Sequence, residues 1–71
     1  MVEITYGELY VKFCNLNPED AAMIIDYKPW GNNSIAVWFD DGTIYKVKYI
    51  GEDRFFVQTI SEEDAKRKFN L

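Results

Sequence analysis

Histidine is absent from the 71-residue sequence, and cysteine occurs only once, as Cys14. Histidine is the commonest general base and a frequent zinc ligand, and without it a cysteine–histidine nucleophile pair cannot form. Only Lys12 lies close enough in the sequence to lower the pKa of the Cys14 thiol. We therefore expect a non-catalytic protein that needs no metal and no cofactor, in which Cys14 is an inert thiol rather than a reactive one.

The sequence also lacks long apolar runs and glycine-rich loops. No apolar run approaches the roughly 20 residues that cross a bilayer, and the segment from Met1 to Tyr6 has no basic stretch followed by an apolar one, as a secretion signal would. The glycines stand alone at positions 7, 31, 42 and 51, so no phosphate-binding loop is present. These features and the unpaired cysteine predict a cytoplasmic protein that does not bind a membrane.

Apolar and aromatic residues are plentiful. They make up 48% and 17% of the chain, which is typical of a folded protein rather than a disordered one. A chain this short has room for one hydrophobic core, so we expect residues 1–71 to form a single small domain. The net charge of −4 argues against binding nucleic acid through the whole surface.

The N-terminal segment shows apolar residues at every second position, with a shift of one residue at Gly7. This pattern predicts either one bulged strand over residues 2–13 or a hairpin. A helix from Glu8 to Cys14 is the alternative that the pattern leaves open.

A helix is predicted next, over about residues 18–28. Asn17 can cap its first turn, and Pro18 suits the first helical position. Pro29 is expected to end the helix because it disfavours helical geometry at the residue before it. Residues 30–33 then form a loop.

A three-stranded antiparallel meander is predicted over about residues 34–60. If residues 40–42 form a three-residue turn, Phe39 pairs with Thr43 and the strands present a continuous apolar face. A two-residue turn would instead place Lys46 opposite Val37 and mix charge into that face. The three-residue turn is therefore the better prediction.

The second turn of the meander, at residues 51–53, supports the same apolar face. A three-residue turn here pairs Ile50 with Arg54 and Tyr49 with Phe55. Both turns thus agree on one core face, which we call the inner face. It contains Ile35, Val37, Phe39, Tyr45, Val47, Tyr49, Phe55 and Val57.

A C-terminal helix is predicted over about residues 61–70. Ser61 and Asp64 resemble a capping box, and Ala65 and Phe69 are its only clear apolar contacts. We expect this helix to pack lightly on the sheet. The predicted fold is therefore α+β: a three-stranded meander with an N-terminal strand or hairpin, one helix before the meander and one after it.

The face of the meander opposite the core, the outer face, is the candidate functional surface. Aromatic and basic residues alternate on it, and such residues can anchor a protein partner or stack and pair with nucleic acid. We nevertheless favour an arrangement in which the N-terminal segment or the terminal helix covers this face wholly or in part, with lysine stems over Trp38. The candidate interaction residues are Trp38, Lys46, Lys48, Arg54 and Phe56.

These observations lead to two functional hypotheses. The first is a protein–protein interaction or regulatory module that binds another protein or itself, as a homodimer, through the outer face or an open sheet edge. The second is a binder of single-stranded nucleic acid that uses the same face. An enzyme is not expected, because no nucleophile with its base can be assembled from these residues.

Overall fold

A computed structural model describes residues 3–71 of the protein. Its centre is a four-stranded antiparallel sheet in which strands adjacent in sequence are also adjacent in space. Helices precede and follow this sheet, which confirms the predicted α+β fold. The elements in chain order are α1 (Tyr6–Leu16), α2 (Pro18–Ala21), β1 (Ile24–Pro29), β2 (Ser34–Phe39), β3 (Ile44–Gly51), β4 (Arg54–Thr59) and α3 (Glu62–Phe69).

The N-terminal segment forms helix α1, so the predicted strand or hairpin over residues 2–13 is wrong where the structure describes it, and the alternative, a helix from Glu8 to Cys14, is confirmed. Thr5 caps α1, since its hydroxyl oxygen accepts a hydrogen bond from the backbone N–H of Glu8 at 3.1 Å. The Thr5 hydroxyl in turn donates to the Glu8 carboxylate at 2.9 Å. This threonine–glutamate spacing is a helix-start signal that outweighs the alternating pattern.

Helical spacing also explains which side chains of α1 are buried. Leu9 and Phe13 lie one turn apart and are both buried against the sheet. Val11 lies between them in sequence and is 55% exposed. The apolar residues at alternate positions therefore do not share one buried face, as they would in a strand. Val2, the first residue of that pattern, lies outside the described residues.

The second predicted helix, over residues 18–28, is wrong beyond its first turn. α2 ends at Ala21, and the chain then forms β1, which makes the meander one strand longer than expected. Ile24 and Ile25 are β-branched and favour a strand, and β1 gains backbone pairing along β2. Pro29 ends this strand at the edge of the sheet, where a missing N–H is tolerated.

The register between β2 and β3 is as predicted. Phe39 donates its backbone N–H to the carbonyl of Thr43 at 2.9 Å, and Gly42 occupies the left-handed region with φ of 91°. The Asp41 carboxylate accepts the Thr43 N–H at 2.9 Å. This hydrogen bond holds the pKa of Asp41 below its ordinary value.

The turn between β3 and β4 differs from the prediction. Gly51 pairs with Arg54 around a two-residue turn in which Glu52 and Asp53 have φ of 54° and 57°. A bulge at Ile50 then restores the predicted pairing further along the strands. The predicted pair of Ile50 with Arg54 is therefore wrong, but the inner face is unaffected.

The hydrophobic core lies between α1 and the inner face of the sheet. Its buried members are Leu9, Phe13, Ile35, Val37, Phe39 and Val47. The Lys12 ammonium also holds α1 against the turn after β3, because it donates to the Asp53 carboxylate at 2.9 Å. That hydrogen bond raises the pKa of Lys12.

α3 begins as predicted, with the Ser61 hydroxyl accepting the Asp64 backbone N–H at 3.1 Å. It ends at Asn70, which has left-handed geometry, φ 58°. Within residues 3–71, no helix is both long enough and apolar enough to cross a membrane.

Candidate interaction face

α3 covers one half of the outer face of the sheet. Ala65 of α3 is buried, as are Ala36 and Ile44 on β2 and β3. This half of the outer face therefore forms a second, smaller apolar layer. It is the partly covered arrangement that the sequence favours.

Trp38 belongs to the covered half. The Phe69 ring lies 5.6 Å from the Trp38 ring and 5.5 Å from the ring of Trp30, measured between centroids. Phe69 is thus held between two tryptophans, and Trp38 is half-buried. The first of the five predicted site residues is therefore a contact of α3.

Lys46 also belongs to the covered half. Its ammonium lies 5.0 Å from the centre of the Trp30 ring, and the ammonium of Lys68 on α3 lies 5.3 Å from the same ring. Both are within range of a cation–π interaction. Trp30 lies in the loop after β1, as predicted, and its ring connects Lys46 of β3 with Lys68 of α3.

The other half of the outer face is open. Lys48, Arg54 and Phe56 are all exposed, and the Phe56 side chain keeps 52% of its surface in solvent. Lys48 lies directly across the ladder from Phe56, and Arg54 is two residues before Phe56 on the same strand. These three residues form what we call the open patch. The structure therefore brings three of the five predicted residues together and places the other two elsewhere, Trp38 against Phe69 of α3 and Lys46 over the Trp30 ring.

The edge strand β4 adds one residue that was predicted to lie on the core face. Val57 faces the inner side of the sheet but is 41% exposed. α1 packs Phe13 edge-on against Phe55, with centroids 5.6 Å apart, and leaves Val57 uncovered. β4 is thus exposed on both faces, at Phe56 and at Val57.

Metal binding and nucleophilic chemistry would each need particular side chains around the open patch. Among residues 3–71, no group of three or more cysteine, aspartate or glutamate side chains is placed to hold a metal ion. Cys14 is a free, half-buried thiol on α1 and lies apart from the open patch in the fold. No protein-family model, curated protein or solved structure matches the chain, so the open patch and its surroundings are the observations that bear on function.

Proposed function

We propose that this protein is a small, non-catalytic interaction module that binds another protein through the open patch. The observation that carries the proposal is the exposure of Phe56 between two cations, Lys48 and Arg54. Aromatic and arginine side chains are the usual anchors of protein interfaces, because they bury a large area on contact. A cytoplasmic location is part of the same proposal.

The charges of the patch define the partner that it suits. Lys48 and Arg54 flank Phe56 and have no ion pair among the residues that the structure describes. A partner segment that places an apolar side chain on Phe56 and carboxylates on either side would satisfy all three groups. We therefore expect an acidic, partly apolar surface on the partner.

A protein partner is better supported than single-stranded nucleic acid. Base stacking needs free aromatic faces, but Trp38 packs on Phe69 and the Trp30 ring already has two ammonium groups over it. The open patch then offers a nucleic acid one ring and two cations on a molecule of net charge −4.

The test compares Phe56→Ala with Val11→Ala, two apolar side chains of nearly equal exposure on different surfaces. Proteins retained by the immobilised wild type are identified and their retention by each variant is measured. We expect Phe56→Ala to lose the specific partner and Val11→Ala to keep it. Retention of every partner by a folded Phe56→Ala variant would contradict this location of the site.

The nucleic-acid hypothesis has its own test. A labelled single-stranded oligonucleotide is titrated with the protein at low salt, and we expect no saturable binding. Binding that weakens steeply with added salt and is lost in Lys48→Ala would instead favour the nucleic-acid function.

A further inference from the structure

The backbone of β4 has unpaired groups on the side that faces away from β3. Ile60 donates its N–H to the carbonyl of Ile44 at 2.9 Å, so the backbone N–H and C=O of Ile60 point toward β3. Backbone groups alternate in direction along an antiparallel strand, so the preceding residue and every second one before it point outward. The outward N–H and C=O groups belong to Phe55, Val57 and Thr59.

The opposite edge of the sheet, on β1, is less suited to such pairing because its outward donors are missing or already used. Trp30 donates its N–H to the carbonyl of Ser34 at 2.9 Å. By the same alternation, the backbone groups of Tyr27 and Pro29 point away from β2. The Tyr27 N–H is already bonded to the side-chain carboxylate of Asp26 at 2.8 Å, and proline has no N–H. A bulge between Ile24 and Asp26 further interrupts this edge.

We propose that two copies of this chain pair through β4, antiparallel, with Val57 opposite Val57 of the second copy. The two four-stranded sheets then form one continuous sheet. This inference rests on the proposed function, because β4 carries two residues of the open patch, and it names a second copy as one partner.

The register follows from the outward groups. With Val57 on the two-fold axis, Phe55 lies opposite Thr59 of the second copy, and every outward N–H and C=O from residue 55 to residue 59 is paired. Centring the pair on Phe56 would leave the outward groups of Thr59 opposite the turn at Asp53. A register that pairs an odd-numbered residue with an even-numbered one is excluded, because the side chains of directly paired residues lie on the same face of the sheet.

The charges agree with this register. Arg54 lies opposite Ile60 of the second copy, and the acidic first turn of that copy's α3 begins two residues later. In this turn Glu62 and Asp64 have ion pairs within their own chain, and Glu63 has none among the described residues. Arg54 is on the outer face, the face that α3 covers, and within the described chain it has no ion pair of its own. The two-fold axis creates this complementary contact twice.

Pairing also covers apolar surface on both sides of the edge. On the inner face the two Val57 side chains, each 41% exposed in one chain, become direct cross-strand neighbours. On the outer face Phe56 gains Gln58 of the second copy as its neighbour. Removing this surface from water favours association.

A cysteine scan tests both the pairing and its register. In a Cys14→Ser background, Val57→Cys places two sulfur atoms at directly opposed positions, where Cα atoms lie about 5.5 Å apart, within reach of a disulfide. The corresponding Cα atoms are about 8 Å apart for Phe56→Cys and about 14 Å apart for Thr59→Cys. We expect mild oxidation to cross-link Val57→Cys efficiently and the other two variants poorly. Preferential cross-linking of Phe56→Cys would overturn the register.

A second pair of variants tests the pairing without a covalent bond. Val57→Lys and Ile25→Lys add the same charge at exposed apolar positions on the two edge strands. By sedimentation, we expect the wild type and Ile25→Lys to be dimers and Val57→Lys a monomer, with circular dichroism confirming that each is folded. A monomeric wild type at its highest soluble concentration would overturn the inference.

These outcomes are separable from those of the proposed function. A monomer that still binds another protein in a Phe56-dependent way would overturn self-pairing and leave the interaction module supported. A Val57-centred dimer that binds no other protein through Phe56 would support self-pairing and overturn the proposed heterologous partner.

Discussion

The two long helices cover the two faces of the sheet very differently. α1 inserts Leu9 and Phe13, both buried, into the inner face. α3 buries only Ala65 and leaves Phe69 half-buried between two tryptophans. Full burial of a large apolar side chain contributes about 1.5 to 3 kcal/mol, so most of the stability gained from helix packing belongs to α1. α1 completes the core, whereas α3 shields half of a surface.

The largest expected effect is on the α1 side, in Leu9→Ala. Truncating a fully buried leucine costs about 2 to 5 kcal/mol, and a chain of this size is stable by only about 4 to 10 kcal/mol. Urea unfolding should therefore show a large loss of stability or an unfolded protein. Val11→Ala, on the exposed side of the same helix, should change the stability by less than about 0.5 kcal/mol. Equal losses in the two variants would contradict the packing of α1.

On the α3 side, Phe69→Ala should have a smaller effect. The ring is half-buried, so we expect a loss of about 1 to 2 kcal/mol. Because Phe69 packs on both tryptophans, their fluorescence should shift toward that of exposed indole. Hydrogen exchange should accelerate in α3 and remain slow in α1. Accelerated amide hydrogen exchange throughout the sheet would show that α3 is part of the core and would contradict this prediction.

The two helix caps provide the next comparison. Thr5→Ala and Ser61→Ala each remove a side chain that accepts a backbone N–H, and each should cost about 1 kcal/mol of helix stability. Thr5→Ala should lower the midpoint of global unfolding, because α1 is part of the core. Ser61→Ala should mainly speed hydrogen exchange in α3. A larger change of midpoint in Ser61→Ala would reverse the assigned roles of the two helices.

The smallest effect is expected for Lys12→Met, which removes the exposed ion pair to Asp53. The raised pKa of Lys12 means that its contribution is present below the unfolded-state pKa of about 10.4 and is lost as pH rises through the folded-state value. Wild type should therefore be slightly more stable than Lys12→Met at pH 8, and the difference should vanish in strongly alkaline solution. A difference that grows with pH would contradict the assigned ion pair.

The sequence was sufficient for the part of the fold in which turn chemistry and alternation agree. Gly42 and the aspartates before it specify the first turn of the meander, and the apolar alternation on each side selects one register. α3 was predicted from its cap at Ser61. These signals are local, so they can be interpreted without knowledge of the rest of the molecule.

The sequence was insufficient where two local signals compete. In the N-terminal segment the apolar alternation predicts a strand, whereas the capping pair of Thr5 and Glu8 predicts a helix. The helix forms because it places both Leu9 and Phe13 in the core. In the next segment Pro18 starts a helix, but strand pairing with β2 is available only once the sheet exists. Tertiary contacts therefore decide both cases.

The candidate site was predictable in part for a related reason. Alternation placed all five residues on the outer face, but it could not determine how far α3 extends over that face. The answer depends on Trp30, whose ring contacts Phe69 only because β1 is a strand that leads into the sheet. The sequence predicts a helix over residues 18–28 where the structure has β1, so it could not place Trp30 against Phe69.

The hydrogen bond from Tyr27 to Asp26 limits how large an assembly can become. In the language of polymer chemistry, a sheet with two reactive edges is bifunctional and can grow without end, as in fibrils. Asp26 and Pro29 leave the β1 edge without a free outward N–H at residues 27 and 29, so under the proposed pairing only β4 is a reactive edge. If the chain pairs through β4 as proposed, we expect assembly to stop at two copies, with the carboxylate of Asp26 as the chain stopper.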